Sequence, residues 1–245
     1  GQSYIDNQGS FFDLIVYYTN YETELKGKSI TLNGKAESAI LMLPDDIGWV
    51  SKSEDIRIEN LVTENLYIDN CDPKSIEFTD GSKIDALFIS ERMIDLTPFK
   101  TSPAFDVNLL DVDEITYGAF FGLGIKNLTV TGNPYIEPGA LTGFKSIENC
   151  EFINSDYTLE NSMLHNADNT QLVSYVAPVG KKVDFTFTNK KIIVRGALNG
   201  IIMDNVVISD GKQFEKDAFV NCTITNLTCG ELDCPLMEIS KSFAS

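Results

Sequence analysis

Lys126-Asn127-Leu128-Thr129-Val130 decides how this chain is read, because its pattern of polar, Asn, apolar, any, apolar returns at a fixed spacing. Glu64-Asn65-Leu66-Tyr67-Ile68, Glu148-Asn149-Cys150-Glu151-Phe152, Asp204-Asn205-Val206-Val207-Ile208 and Thr225-Asn226-Leu227-Thr228-Cys229 repeat it. Ala86-Leu87-Phe88-Ile89, Asp106-Val107-Asn108-Leu109 and Gln171-Leu172-Val173-Ser174 are weaker copies. With the Asn slot as marker, the copies stand at 65, 86, 106, 127, 149, 171, 205 and 226, in steps of 21, 20, 21, 22, 22, 34 and 21 residues. A repeat of that length is the signature of a solenoid, in which each copy is one coil stacked on the next.

Within a copy, alternate residues of a short strand point the same way. Numbering slots from the apolar residue before each copy, as in Ile125-x-x-Leu128-x-Val130, the fourth and sixth slots face a core and the fifth and seventh face outward. Ile84-x-x-Leu87-x-Ile89, Ile147-x-x-Cys150-x-Phe152 and Ile224-x-x-Leu227-x-Cys229 fit this frame. Between the strands a second motif recurs, apolar-x-x-x-Ala-apolar. It is seen at Ile115–Phe120, Ile136–Leu141, Ile193–Leu198 and Phe214–Phe219. A small Ala beside a large neighbour suits a tight return segment, read here as a short helical turn. Each Asn reads first as closing a local turn on nearby backbone; a stack of amides running along the solenoid is the alternative.

The frame is that of the leucine-rich repeat, and Ala119-Phe120-Phe121-Gly122, Ala140-Leu141-Thr142-Gly143 and Ala218-Phe219-Val220-Asn221-Cys222 resemble the repeat element of BspA-like bacterial surface proteins. The resemblance covers roughly 56–245 and weakens across 90–112 and 176–192. It implies a right-handed leucine-rich-repeat solenoid, mostly β, with a parallel sheet, turns and short helical segments. It also implies export to, or retention at, the cell surface, and a role in adhesion. One departure is that the Asn usual at the ninth slot occurs only as Asn133.

Residues 1–55 lie outside the repeat. Their β-branched and aromatic runs, Phe11–Tyr18, Ser29–Leu32 and Ala39–Leu43, are separated by turn signals, and Asn33-Gly34 is the best hairpin signal in the chain. An open solenoid end exposes strand edges and core, so 1–55 is expected to be a β-rich N-terminal cap. Residues 56–245 are expected to be the solenoid, with an irregular insertion near 176–192 that takes up the long step; Val183-x-Phe185-x-Phe187 alternates as a strand does, so this stretch is a squeezed, degenerate repeat or an inserted hairpin.

Composition narrows the function. With 19 basic against 36 acidic residues the formal charge is −17, which disfavours nucleic acid and anionic lipid alike. No apolar run reaches the length of a membrane span. Gly1 reads as a trimmed start, so a removed export signal or lipid anchor and an extracellular or cell-surface location are expected. Five cysteines form no Cys-x-x-Cys pair; Cys150 and Cys229 take inward slots, and a disulfide among Cys222, Cys229 and Cys234 is an open alternative. One histidine, His165, sits in a polar slot of a return segment and is a poor candidate for catalysis. No phosphate-binding glycine motif occurs, and Asp111-x-Asp113-Glu114 lacks the spacing of a Ca²⁺ loop. The expectation is therefore no catalytic residue, no metal site and no cofactor.

What remains is a surface. The outward slots hold Phe88 and Ser90, Thr129 and Thr131, Glu151 and Ile153, Val173 and Tyr175, Val207 and Ser209, and Thr228 with Gly230. So little charge in so acidic a chain is unusual, and extended sheet faces are where solenoids take partners. The chain is read as a non-enzymatic, adhesin-like module for a protein or glycan. A carbohydrate-active enzyme on a parallel β-helix and a structural spacer are the alternatives, and the oligomeric state stays open.

Overall fold

The computed structural model describes residues 2–7, 14–17, 29–42, 56–69, 76–79, 81–90, 93–187, 192–208 and 213–229. These residues build a parallel β-solenoid. Its largest sheet has nine strands. Seven follow one another across it: β1 (Gln2–Asn7), β3 (Ser29–Met42), β4 (Ile56–Asp69), β6 (Lys83–Ser90), β8 (Phe105–Leu110), β10 (Gly124–Thr131) and β13 (Ser146–Ile153). Two more sit beside this path: β2 (Leu14–Tyr17) on β3 and β5 (Ile76–Phe78) on β4. Every pairing in the sheet is parallel.

The 20-to-22-residue period read from the sequence is the pitch of this sheet: Leu66 pairs with Leu87, Leu87 with Val107, and Leu128 with Cys150. Parallel neighbours need a crossover on each circuit, and here it is another short strand and a turn. The short strands β7 (Met93–Ile94), β9 (Glu114–Ile115) and β11 (Tyr135–Ile136) form a second parallel ribbon. Side chains from the two sheets meet in between, so the inward slots Leu87, Ile89, Leu128 and Val130 are wholly buried with Ile94 and Ile115. Burial of each such side chain contributes about 1.5–3 kcal/mol.

The return segments are hydrogen-bonded turns rather than helices. Ala119 N–H donates to the Thr116 carbonyl (3.1 Å), Ala140 to Glu137 (2.9 Å), Ala197 to Val194 (3.1 Å) and Ala218 to Glu215 (3.1 Å). Each turn passes through a left-handed residue just before its Ala: Gly118, Gly139, Gly196 and, once, Asp217 (φ +61°). A helix cannot continue through that conformation. Among the described residues the only helical element is a single 3₁₀ turn, Thr97–Phe99.

The structure places two parts of the chain that the 21-residue period leaves open. The segment read as a cap supplies strands to the same sheet: β1 pairs with β3, and β3 with β4 along most of its length, in parallel. The offset there is 26 or 27 residues, as in Ile30 to Ile56, Gln2 to Ser29 and Ala39 to Leu66, so a search tuned to 21 passes over it. Asn33-Gly34 makes no hairpin; both residues lie within β3, opposite Asp6 and Asn7 of β1.

The break in the period also falls earlier than the Asn markers place it. After β13 the chain makes an antiparallel hairpin, β14 (Thr158–Glu160) with β15 (Met163–His165), and β16 (Gln171–Tyr175) pairs antiparallel to β15. A short strand β17 (Ala177–Pro178) pairs with β12 (Thr142–Phe144). Parallel stacking then resumes. β16, β19 (Ile192–Ile193) and β21 (Gln213–Phe214) form the short-strand side; β18 (Lys182–Phe187), β20 (Ile202–Ile208) and β22 (Thr223–Cys229) form the long-strand side. Within the stretch near 176–192, residues 182–187 thus form a long strand of the repeat, in register with the next (Phe185 opposite Val206). The extra residues are those of the hairpin. Two hydrophobic cores result, divided at β16: Val173 joins the first, Leu172 and Tyr175 the second.

Candidate functional site: the outward face of the long strands

Because the long strands stack in register, their outward side chains line up in columns, with successive members about 4.8 Å apart. In the first stack the central column is Tyr67, Phe88, Asn108, Thr129 and Glu151. Tyr67 and Phe88 stack face to face, with ring centroids 4.5 Å apart and planes 13° from parallel. Asn108 donates from Nδ2 to the Leu87 carbonyl (3.4 Å), and Thr129 donates from Oγ1 to Glu151 Oε1 (3.0 Å). Beside this column, Thr131 lies between Leu110 and Ile153, which are 38% and 41% exposed. In the second stack Thr186, Val207 and Thr228 form the corresponding column, all exposed.

Phe88, Ser90, Thr129, Thr131, Glu151 and Ile153 therefore share the first face, and Val207 and Thr228 the second. Val173 and Tyr175 do not belong to either. They lie on β16, a short-strand element, and are 7% and 9% exposed, one in each core. Gln171-Leu172-Val173-Ser174-Tyr175 is too short and mixed a run for its periodicity to tell a half-buried strand from one buried on both sides, which is why the sequence misplaces it. Ser209 and Gly230 lie outside the described residues. Tyr67, Asn108, Leu110 and Thr186 were missed; each occupies a fifth or seventh slot and was findable by applying the frame to every coil.

One edge of this face carries the Asn slots, and here the amides form ladders instead of local turns. Asn149 donates from Nδ2 to Asn127 Oδ1 (2.9 Å), and Asn127 Nδ2 to Asp106 Oδ1 (2.7 Å). The second stack repeats this, Asn226 to Asn205 (3.1 Å) and Asn205 to Asp184 (2.8 Å). A further amide link joins the turns, from Asn221 Nδ2 to Asn199 Oδ1 (3.1 Å). Asn127, Asn221 and Asn226 thus each spend a side-chain N–H on a bond between coils. Carboxylates link the turns as well, a device the sequence reading missed: Glu215 Oε2 accepts the Arg195 N–H (2.8 Å), and Glu137 Oε2 accepts that of Tyr117.

The groups weighed for chemistry are dispersed. His165 is buried in β15, not in a polar slot of a return segment. Cys150 and Cys222 are free thiols, so Cys222 takes no part in a disulfide; Cys234 lies outside the described residues. Burial pushes both thiols up to about 12, helped at Cys150 by the neighbouring Glu151 carboxylate, which keeps them protonated and inert. Asp111 and Asp113 are exposed on a turn, with Asp111 at φ +49°. Among the described residues no three His, Cys, Asp or Glu side chains come together as metal ligands, and no helix is long and apolar enough to cross a membrane. Comparison with protein-family models, curated proteins and solved structures returned no match to this chain.

Proposed function

We propose that this chain is a non-enzymatic binding module, displayed outside the cell, that takes a protein or glycan on the outward face of its long strands. The observation that carries this reading is the first-stack face itself. Four consecutive coils present Phe88, Asn108, Thr129 and Glu151 in register, flanked by the exposed aliphatic side chains of Leu110 and Ile153. Such a surface is rigid before it meets a partner, so little conformational entropy is lost on binding. Its mixture of aromatic, amide, hydroxyl and apolar groups suits contact across several coils rather than one deep pocket. The likeness of the Ala-Phe turns to BspA-like surface repeats supports the extracellular setting and the leucine-rich-repeat assignment within the solenoid class.

The test is binding of the intact chain to immobilised host matrix proteins and polysaccharides, beside a Phe88→Lys/Thr131→Lys/Ile153→Lys variant with unchanged circular dichroism. Three like charges on one face should weaken a true partner by about tenfold or more, roughly 1.4 kcal/mol. Undiminished binding in the variant would move recognition off this face. No binding to any ligand would favour a structural spacer.

A further inference from the structure

The acidic residues of this chain are not evenly spread. One corner of the solenoid, where each return turn passes into the next long strand, is built from 97–104, 118–125, 140–147 and 176–183. None of these stretches contains Asp or Glu, in a chain with 36 acidic residues. They are adjacent in space, one above the next. The Gly122 N–H donates to the Gly143 carbonyl (2.9 Å), the Lys145 N–H to Leu123 (2.8 Å) and the Val179 N–H to Phe144 (2.7 Å). A Cβ placed on Gly122 would lie 4.0 Å from that of Lys100. The stripe therefore crosses four coils and bridges the two stacks.

Its exposed side chains are of two kinds. Phe121 and Val179 are 60% and 59% exposed, among the most exposed large apolar residues described. Lys100, Lys145 and Lys181 are exposed around them. One edge of the Phe121 ring lies against Gly143, where a Cβ would come within 2.8 Å of Cδ2, so glycine leaves room for the aromatic there. Cationic side chains around an unburied aromatic, on four stretches that contain no Asp or Glu, oppose the negative field that the acidic remainder of the chain produces.

We propose that this corner stripe is a second interaction surface, distinct from the sheet face, and that its occupant is an acidic polypeptide segment carrying an aromatic or aliphatic side chain. Charge complementarity selects the acidic partner: the lysines attract carboxylates that the remaining surface of this chain repels. The apolar component selects a peptide over an anionic glycan. Sugar hydroxyls need acceptors as well as donors, and the stripe offers ammonium donors and hydrocarbon but no carboxylate. Phe121 and Val179 instead suit an apolar side chain anchored between flanking acidic residues.

The experiment uses the full chain and two polymers, a random Glu/Tyr copolymer and poly-glutamate, with heparin as the glycan arm, read by fluorescence anisotropy. The copolymer should bind most tightly, with affinity falling as salt is raised. Lys145→Glu/Lys181→Glu should weaken it by about tenfold or more, and Phe121→Ser should weaken the copolymer while leaving poly-glutamate unchanged. Lys216→Glu, an exposed lysine in a return turn of the second stack, should leave binding intact and so separates local from overall charge. All variants are first matched to the parent by thermal melting. Absence of copolymer binding at low salt, equal binding by the Lys145→Glu/Lys181→Glu variant, or tighter binding of heparin than of the copolymer would each overturn the proposal. So would a concentration-dependent dimer abolished by the same double variant, which would make a second copy the occupant.

Discussion

Gly139→Ala should be far more damaging than Gly118→Ala, although the two glycines hold the same place in successive turns. Both are left-handed, at φ +79° and +83°. Giving an L side chain that backbone costs about 1–2 kcal/mol, partly offset by roughly 0.4–1 kcal/mol of unfolded-chain entropy removed by Ala. At Gly118 nothing lies within 4 Å of the new Cβ, so a net loss of about 1 kcal/mol is the whole effect. At Gly139 the Cβ would press into the carbonyl oxygen of Gly196, which is backbone and belongs to the second stack. Restoring ordinary contact requires the two turns to part by about 1 Å. That motion pulls on the Gly139 N–H bond to Val173 (3.0 Å) and on the Ala177–Leu141 link (3.3 Å), both at the joint between stacks. Overpacking of this kind adds about 1–3 kcal/mol, for a total near 3 kcal/mol. Urea unfolding followed by circular dichroism gives the midpoint for each variant. Equal midpoints for the two would refute the idea that the Gly139–Gly196 approach holds the stacks together.

Three further outcomes follow from the same geometry. Asp217→Gly should stabilise by about 1 kcal/mol, because Asp217 occupies the slot that is glycine in the other turns, at φ +61°, and its buried Oδ1 has no hydrogen-bond partner among the described residues; a lowered melting temperature would mean that its 3.5 Å ion pair with Arg195 matters more than the strain. Asp184→Ala should cost about 1 kcal/mol and Asp184→Asn less, since one Asp184 oxygen accepts both the backbone N–H and the amide of Asn205 (3.1 and 2.8 Å); equal unfolding midpoints for both variants would show the ladder to be passive. The thiols of Cys150 and Cys222, pushed up to about 12 from 9.0, should resist alkylation in the native chain at pH 8 and react on unfolding. By linkage the folded state loses stability as pH rises from 9 toward 12, where the unfolded thiols ionise first, and is level below; fast native alkylation at pH 8 would contradict this.

The period and the inward slots were legible because a solenoid repeats one local solution, so that Leu128 and Val130 report on Leu87 and Ile89. The marker failed where its chemistry changed. Val183-Asp184-Phe185-Thr186-Phe187 obeys the same alternation as the other copies, but Asp stands in the Asn slot, and a search for Asn slides past it to Gln171–Ser174. The N-terminal strands were hidden for a different reason. Turn signals such as Asn33-Gly34 are local, while parallel pairing at an offset of 26 or 27 residues is not, and nothing within β3 announces that β1 and β4 lie alongside. The face residues followed wherever the coil was placed correctly and failed at Val173 and Tyr175, where it was not. The acid-free corner could be read only after stacking had joined four separate stretches of chain.

The aspartates that begin each ladder stand at two of the places where the register of the long strands slips. In the Asp-headed coils one residue separates the inward slots, Phe105 from Val107 and Val183 from Phe185; in the next coil two do, between Ile125 and Leu128 and between Met203 and Val206. The added residue is a bulge at each place, and a bulge leaves a backbone N–H without its partner across the ladder. That N–H is Asn127's in the first stack and Asn205's in the second, and each is taken by the carboxylate above, Asp106 (3.2 Å) and Asp184 (3.1 Å). An amide ladder has a direction, because every Asn spends its Nδ2–H on the coil before it. The first member needs only to accept, and it must accept twice, once from the amide and once from the bulge. A carboxylate does this with charge-assisted bonds and no misdirected donor. Asp at the head and Asn below it are thus one device, and its second appearance at Asp184 marks the coil at which the solenoid begins again after the hairpin.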